Sequence, residues 1–163
     1  MIGKLAAGKN FGGCVRYVEQ KQGSEVLYGE GIRLEDTAKM TRDFNMQRLL
    51  NPLLEKAVAH ISLNFSTNDQ DKLDNETMLK LAKEYLEKMD IRNTQVLIVR
   101  HNDAAHPHCH IIYNRVDNNG KTISDSFQHR KNVAVCKEMT LKHGLYISEG
   151  KDKVNRLALK GTD

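Results

Sequence analysis

Arg100-His101-Asn102-Asp103-Ala104-Ala105-His106-Pro107-His108-Cys109-His110-Ile111-Ile112-Tyr113-Asn114-Arg115-Val116 is the stretch whose reading decides the fold. Side chains alternate across a strand, so a strand over His108 to Val116 puts His108, His110 and Ile112 on one face and Cys109, Ile111 and Tyr113 on the other. Two imidazoles so placed stand about 6 to 7 Å apart at their Cβ atoms, a gap that one metal ion bridges. Val96 to Val99 reads as a short buried strand, and His101 stands at the end of it. The loop Asn102 to Pro107 is short enough to bring it over the same face. Three imidazoles with open positions beside them fit a metal that also takes substrate, because structural zinc sites enlist thiolates and fill all four positions.

Four histidines, His101, His106, His108 and His110, crowd into these ten residues. That clustering sets them apart from scattered surface histidines. Asp103 is placed to accept a hydrogen from a ligand imidazole and fix its tautomer, or to serve as a base. His106 precedes Pro107, which biases it to extended backbone; a second layer around the metal or a phosphate contact suits it better than ligation.

Outward from this stretch, Ala57 to Phe65 alternates as a second strand, with Ala59, Ile61, Leu63 and Phe65 on one face and His60, Ser62 and Asn64 on the wet one. His60 shares the metal side if the two strands are neighbours, and is otherwise an ordinary hydrogen-bonded histidine. Asp117-Asn118-Asn119-Gly120 is a turn signal that predicts a hairpin returning through Lys121 to Ser124. Helices are predicted over about Gly13 to Lys21, after a loop with glycines and lysines, and from Asp36 or Thr37 to Asn51-Pro52. Two more are predicted over Asn75 to Met89, capped by Asp74, and over Gln128 to His143, stopped by Gly144. Met1 to Leu5 reads as a first strand.

The chain of 163 residues fits one domain spanning 1–163, with the basic stretch from about 150 to 163 expected to be loosely ordered. A formal charge of +4 is compatible with a phosphate-bearing partner without requiring one. No apolar run is long enough to cross a bilayer, and Met1-Ile2-Gly3-Lys4-Leu5 lacks the pattern of a signal peptide, so a cytoplasmic protein with no membrane insertion is expected. Cys14, Cys109 and Cys136 are odd in number with no CxxC pair, which argues against a disulfide framework or a thiolate zinc knot.

The 100–117 string closely resembles the third motif of the relaxase/mobilisation nuclease family, part of the HUH endonucleases, which are named for two histidines separated by a hydrophobic residue. Cys109 holds that middle position. Lys9-Asn10-Phe11-Gly12-Gly13-Cys14-Val15-Arg16-Tyr17-Val18 resembles the first motif, and His60-Ile61-Ser62-Leu63-Asn64-Phe65 the strand before the middle helix; the resemblance spans about residues 1–125. It implies an α+β fold, an antiparallel sheet with helices packed on one face and the metal site on the other. It also implies a tyrosine nucleophile from an N-terminal element, which Tyr17 matches.

By that resemblance the substrate is single-stranded DNA at a transfer origin, nicked and rejoined as a plasmid or integrated mobile element is mobilised. A tyrosine attack would leave a 5′-phosphotyrosyl bond and a free 3′-hydroxyl. The cofactor would be a divalent metal, Mn2+ or Mg2+ first, with Zn2+, Ni2+ or Co2+ also accommodated by imidazoles. Accessory mobilisation proteins and a coupling protein are implied partners. Candidate DNA contacts are Lys9, Arg16, His106, Asn114 and Arg115.

An aromatic residue on an amphipathic helix is more often core than catalytic, so Tyr17 competes with a packing role. Tyr28 is the first alternative nucleophile, Tyr85 and Tyr113 are explained by packing, and Tyr146 is unassigned. Two other readings compete. A replication initiator or transposase of the same superfamily usually places its tyrosine on a helix after the histidine motif. A non-catalytic metal-bound DNA-binding module would have no nucleophile at all.

Overall fold

The computed structural model describes residues 1–103 and 105–147; the basic stretch expected to be loosely ordered lies outside them. Strand β1 covers Ile2–Gly8, β2 Glu25–Glu30, β3 Val58–Asn64, β4 Val96–His101 and β5 His108–Asn114. They form one sheet in the order β1-β3-β5-β4-β2, with every neighbouring pair antiparallel. The histidine strand β5 is central, paired on both sides and buried along its whole length. Its register sets Ser62 of β3 opposite His110, and His101 of β4 opposite His108.

The β3 alternation appears as the sequence predicts. Ala59, Ile61, Leu63 and Phe65 join Cys109, Ile111 and Tyr113 in one apolar cluster. Helix α3 (Asn75–Lys88) and helix α4 (Gln128–Lys142) cover it with Met78, Leu81, Ala82, Tyr85, Val135, Cys136 and Met139. Asp74 caps α3 by accepting from the Thr77 amide at 2.8 Å, and Gly144, at φ +63°, ends the segment after α4.

The histidine face carries apolar residues of its own, and this qualifies the expectation of helices on one face. Val58, Leu97, Val99 and Ile112 point to the metal side and need a cover. Helix α1 (Phe11–Glu19) and helix α2 (Thr37–Arg48) supply it with Phe11, Val15, Val18, Met40 and Phe44. The Phe11 and Phe44 rings stack at 4.7 Å and join the two helices. Helices therefore flank both faces, and among the described residues the metal side is exposed at the Ile2 end of β1.

Three elements differ from expectation. Helix α1 begins at Phe11 because Asn10 accepts from the Gly13 amide at 3.0 Å, capping ahead of the glycines. Strand β2 has no sequence signature: it is an edge strand, interrupted by a register shift between Val26 and Tyr28, and needs pairing on one side only. The turn at Asp117 to Gly120 forms, with Gly120 at φ +80°, but the return closes on a single bridge between Val116 and Thr122.

Asn132 on α4 ties three elements together. It accepts from the Tyr85 hydroxyl of α3 at 2.6 Å and donates to the Gly3 carbonyl of β1 at 2.8 Å. A Cβ at Gly3 would collide with this amide, so the glycine permits the close approach of β1 and α4. Asn132→Ala strands the buried Tyr85 hydroxyl and the half-buried Gly3 carbonyl and is expected to cost about 2 to 3 kcal/mol in urea unfolding, against about 1 kcal/mol for Tyr85→Phe. Equal midpoints for Asn132→Ala and the parent would remove this amide from the account of the core.

Candidate metal centre and nucleophile

His101, His108 and His110 converge on one face of the sheet, each offering one ring nitrogen, all within 4.8 Å of one another. Backbone register does most of this. β4 and β5 pair with His101 opposite His108, and His110 follows two residues on, so the three rings crowd together with centroids 4.1 to 5.4 Å apart.

The neighbours of each ring decide which nitrogen faces the cluster. His101 Nε2 lies 2.6 Å from the Val18 carbonyl, and a carbonyl only accepts, so Nε2 carries the hydrogen. Nδ1 of His101 is left as a bare lone pair, the one buried side-chain nitrogen or oxygen without a partner among the described residues. A buried lone pair of this kind, in a residue 2% exposed and facing two other imidazoles, fits a cation. His108 Nδ1 donates to the His106 carbonyl at 3.3 Å, which turns Nε2 to the cluster. His110 Nδ1 lies 2.7 Å from His60 Nε2, leaving its own Nε2 free. Donor number and type therefore suit one divalent ion with positions open for oxygen ligands.

The Val18 carbonyl belongs to the last turn of α1, where helix carbonyls have no partner in the helix. Its partial negative charge sits behind an imidazole that would carry positive charge when metallated. The preceding residue, Tyr17, is 55% exposed, and its ring meets His60 edge-on at 6.1 Å and His110 at 6.0 Å. One turn of helix thus both braces a metal ring and presents a phenol at the rim of the cluster.

Burial lowers the proton affinity of His60, His108 and His110. Burial first, then the neighbouring His101, His60, His108 and Lys21, push His110 down to about 3. Burial first, then His101, also lowers His60, and burial is the largest cause lowering His108. Cys109 points to the opposite face, where burial pushes its thiol up to about 12, so it supplies no thiolate. Lys21 brings positive charge close by, 5.6 Å from the Tyr17 ring centroid and 3.0 Å from Asp103.

Several expected residues stand elsewhere. Asp103 is paired with Lys21, which holds its carboxyl below the usual range, and lies 3.8 Å from His108 Nε2. It orients no ligand ring; the Val18 and His106 carbonyls and His60 take that place. Asn114 is 0% exposed and bonds to the Phe44 carbonyl, Gln95 and the Val116 amide, so it has nothing to offer a DNA strand. Arg115 is likewise buried, its guanidinium donating to the carbonyls of Ile123 and Lys56. Both DNA contacts are corrected on that ground: buried polar groups at a strand end must be satisfied by the chain itself.

Lys9 pairs with Glu55 beyond Gly8, at the end of β1 remote from the row that joins Ile2, Asn64, His108 and His101. Arg16 is exposed beside Tyr17 and lines the groove between α1 and α2. His106 is exposed, with its ring 5.3 Å from that of His108 and its Nε2 3.1 Å from Asn64 Oδ1. Tyr28 is excluded from the cluster: it packs toward the α3 side, donates to Glu30 at 2.5 Å and lies beneath Lys83. Sequence reasoning left His60 open between two roles because the β3/β5 pairing was not known. The Val18 carbonyl, being backbone, carries no signal in a sequence.

In the metal-free protein, His110 takes up a proton only near pH 3 when folded, whereas the unfolded chain does so near 6.5. The unfolded state binds more protons across that window, so stability present above about pH 6.5 is lost as the pH falls toward about 3. Denaturation of the metal-free protein at about pH 7.5 and about pH 5 is expected to show a loss that shrinks in His110→Gln. The same loss in both proteins would assign the effect to other groups.

Comparison with known proteins places the fold. The chain is similar over 90% of its length to 96% of a chain from a structure on the molecular basis of vancomycin resistance transfer in Staphylococcus aureus (12% identity, TM-score 0.53). It is similar over 92% of its length to 90% of the MobM relaxase domain, solved with a 26-nucleotide oriT DNA of pMV158 (18% identity, TM-score 0.57). A third likeness, over 93% of this chain and 73% of the other, is to the conjugative relaxase TrwC in a metal-bound complex with oriT DNA (12% identity, TM-score 0.52). At these identities the likeness is one of fold. No curated protein sequence matches the chain. The sequence profile of the relaxase family, described as the MobA/VirD2-like nuclease domain, matches residues 17–145. The chain therefore belongs to the MobA/VirD2-like relaxase nuclease-domain family.

Proposed function

We propose that this relaxase nicks and rejoins one DNA strand at a transfer origin through Tyr17, with His101, His108 and His110 holding the metal. The observation that carries this reading is the phenol of Tyr17 at the rim of a three-histidine cluster in which Nδ1 of His101 has no partner among the described residues. The DNA-bound MobM and TrwC structures of the same fold support the substrate class.

The reaction is a transesterification. Tyr17 Oη gives up its proton and forms a bond to the scissile phosphorus, the bond from phosphorus to the 3′-oxygen breaks, and the leaving 3′-oxygen takes up one proton in place of the one the phenol lost. The strand end is kept as a phosphotyrosyl ester, so reversal rejoins it without an external energy source. A divalent cation held by the three imidazoles supplies Lewis-acid stabilisation of the charge that builds on the phosphate oxygens. Mn2+ and Mg2+ are the first candidates; three neutral nitrogens also suit Zn2+, Ni2+ or Co2+.

The chain's own residues do the positioning. Helix α1 holds Tyr17 against His60 and His110 because Val18, its neighbour, is buried and bonded to His101. Lys21, one turn further along, adds a second positive charge beside the phenol, suited to the phenolate and to the incoming phosphate. Asp103 pairs with that ammonium and competes with the phosphate for it. A tyrosine placed before the histidine motif favours this reading over a replication initiator or transposase.

With single-stranded DNA of the parent element's transfer origin and Mn2+, the protein is expected to give a denaturation-resistant protein–DNA band. Tyr17→Phe abolishes that band while strand binding stays within about twofold; an adduct that survives moves the nucleophile elsewhere. Combined His108→Ala and His110→Ala is expected to lose metal uptake and cleavage together. Unchanged metal content in that variant would sink the assignment of the ligands.

A further inference from the structure

A cavity of about 520 Å³ opens at the β1 edge of the sheet, where residues of the histidine face meet the end of α4 and the segment that follows it. Its near wall continues the row that runs from His101 through His108 and Asn64 to Ile2 across four strands. His106, bonded to Asn64, stands between this wall and the His108 ring. The far wall comes from Lys137 and Leu141 of α4 and from Tyr146, and Lys4 projects from β1 on the histidine side.

Tyr146 is held rigidly although it follows the last helix. Its backbone amide donates to both carboxylate oxygens of Asp69, at 3.0 Å each, and Asp69 is 2% exposed. Lys72 clamps the same segment by donating to the Gly144 carbonyl at 2.8 Å, and its ammonium lies 3.7 Å from Asp69. A buried carboxylate with no part in the metal chemistry thus fixes the backbone, while Tyr146 as a residue stays 42% exposed at the cavity. An exposed aromatic ring on a tethered backbone, with an apolar wall and flanking lysines, is the chemistry that takes an unpaired base and its phosphates.

We infer that this cavity receives an unpaired base of the DNA strand further along from the scissile phosphate, past His106, stacked on Tyr146, with Lys4 and Lys137 contacting the backbone. The inference rests on the proposed nicking reaction and adds a binding subsite to it. Continuity through His106 and Asn64 ties the base to the metal cluster. Stacking on one platform tolerates any base, so the subsite would add affinity and register more than sequence preference.

The test uses the fluorescently labelled single-stranded oligonucleotide that the protein cuts with Mn2+, and reads affinity by anisotropy. Tyr146→Ala is expected to weaken binding by about five- to tenfold, with Tyr146→Trp and Tyr146→Phe within about twofold of the parent. A scan with single abasic positions is expected to find one position that costs the parent a similar factor and costs Tyr146→Ala nothing more. Lys137→Glu, on the exposed face of α4, provides a second variant should Tyr146→Ala fail to fold; it is expected to weaken binding and flatten its salt dependence. Parent-like affinity in Tyr146→Ala, or in Lys137→Glu where that variant decides, overturns the subsite while leaving the nicking reaction standing. A parent protein that neither binds nor cuts the oligonucleotide overturns the nicking reaction itself.

Discussion

The hydrogen bond from His101 to the Val18 carbonyl is the contact on which the site depends. It joins the end of β4 to the last turn of α1, and so couples the metal cluster to the helix that carries Tyr17. A helix terminus has carbonyls to spare, and a metal-ligating imidazole needs an acceptor behind it; each satisfies the other. The same bond leaves Nδ1 of His101 bare inside the protein, a cost that a cation removes. Loss of the α1 packing through Val15 and Val18 would therefore disturb nucleophile and ligand together.

The sheet supplies the rest of the geometry. With β5 in the centre, its two faces are divided between a core against α3 and α4 and a reactive surface against α1 and α2. Burial holds His108, His110 and His60 neutral, which keeps their lone pairs available and three mutually repelling charges out of the cluster. The positive charge of the site comes instead from Lys21, at the rim and bound to Asp103. Polar groups beyond the end of β5 serve the fold: Asn114 and Arg115 satisfy neighbouring strand and loop backbone where the sheet ends.

Much of the fold was legible because the periods of its segments are clean. β3 and β5 alternate over seven residues each, and α2 and α3 announce themselves with Asp36 and Asp74 as caps. Strand β2 was not legible, since an interrupted edge strand has neither two packed faces nor two hydrogen-bonded sides. The histidine cluster was legible from spacing, whereas the partners that orient its rings were not. Val18 and His106 act through backbone oxygens, and His60 through a strand pairing that joins residues 50 positions apart.

What the sequence by itself determined is the set of chemical groups and their local order: three imidazoles on adjoining strand positions, a tyrosine early on a helix after a glycine-rich start, and apolar faces of the right period. Tertiary structure alone decided which nitrogen of each ring faces the cluster, that α1 packs on the histidine side of the sheet, and that Asp103 serves Lys21 in place of a ligand. The reason is physical. Periodicity and spacing act through neighbours along the chain, whereas tautomers and ion pairs are settled by whichever acceptor or charge the folded chain brings within about 3 Å.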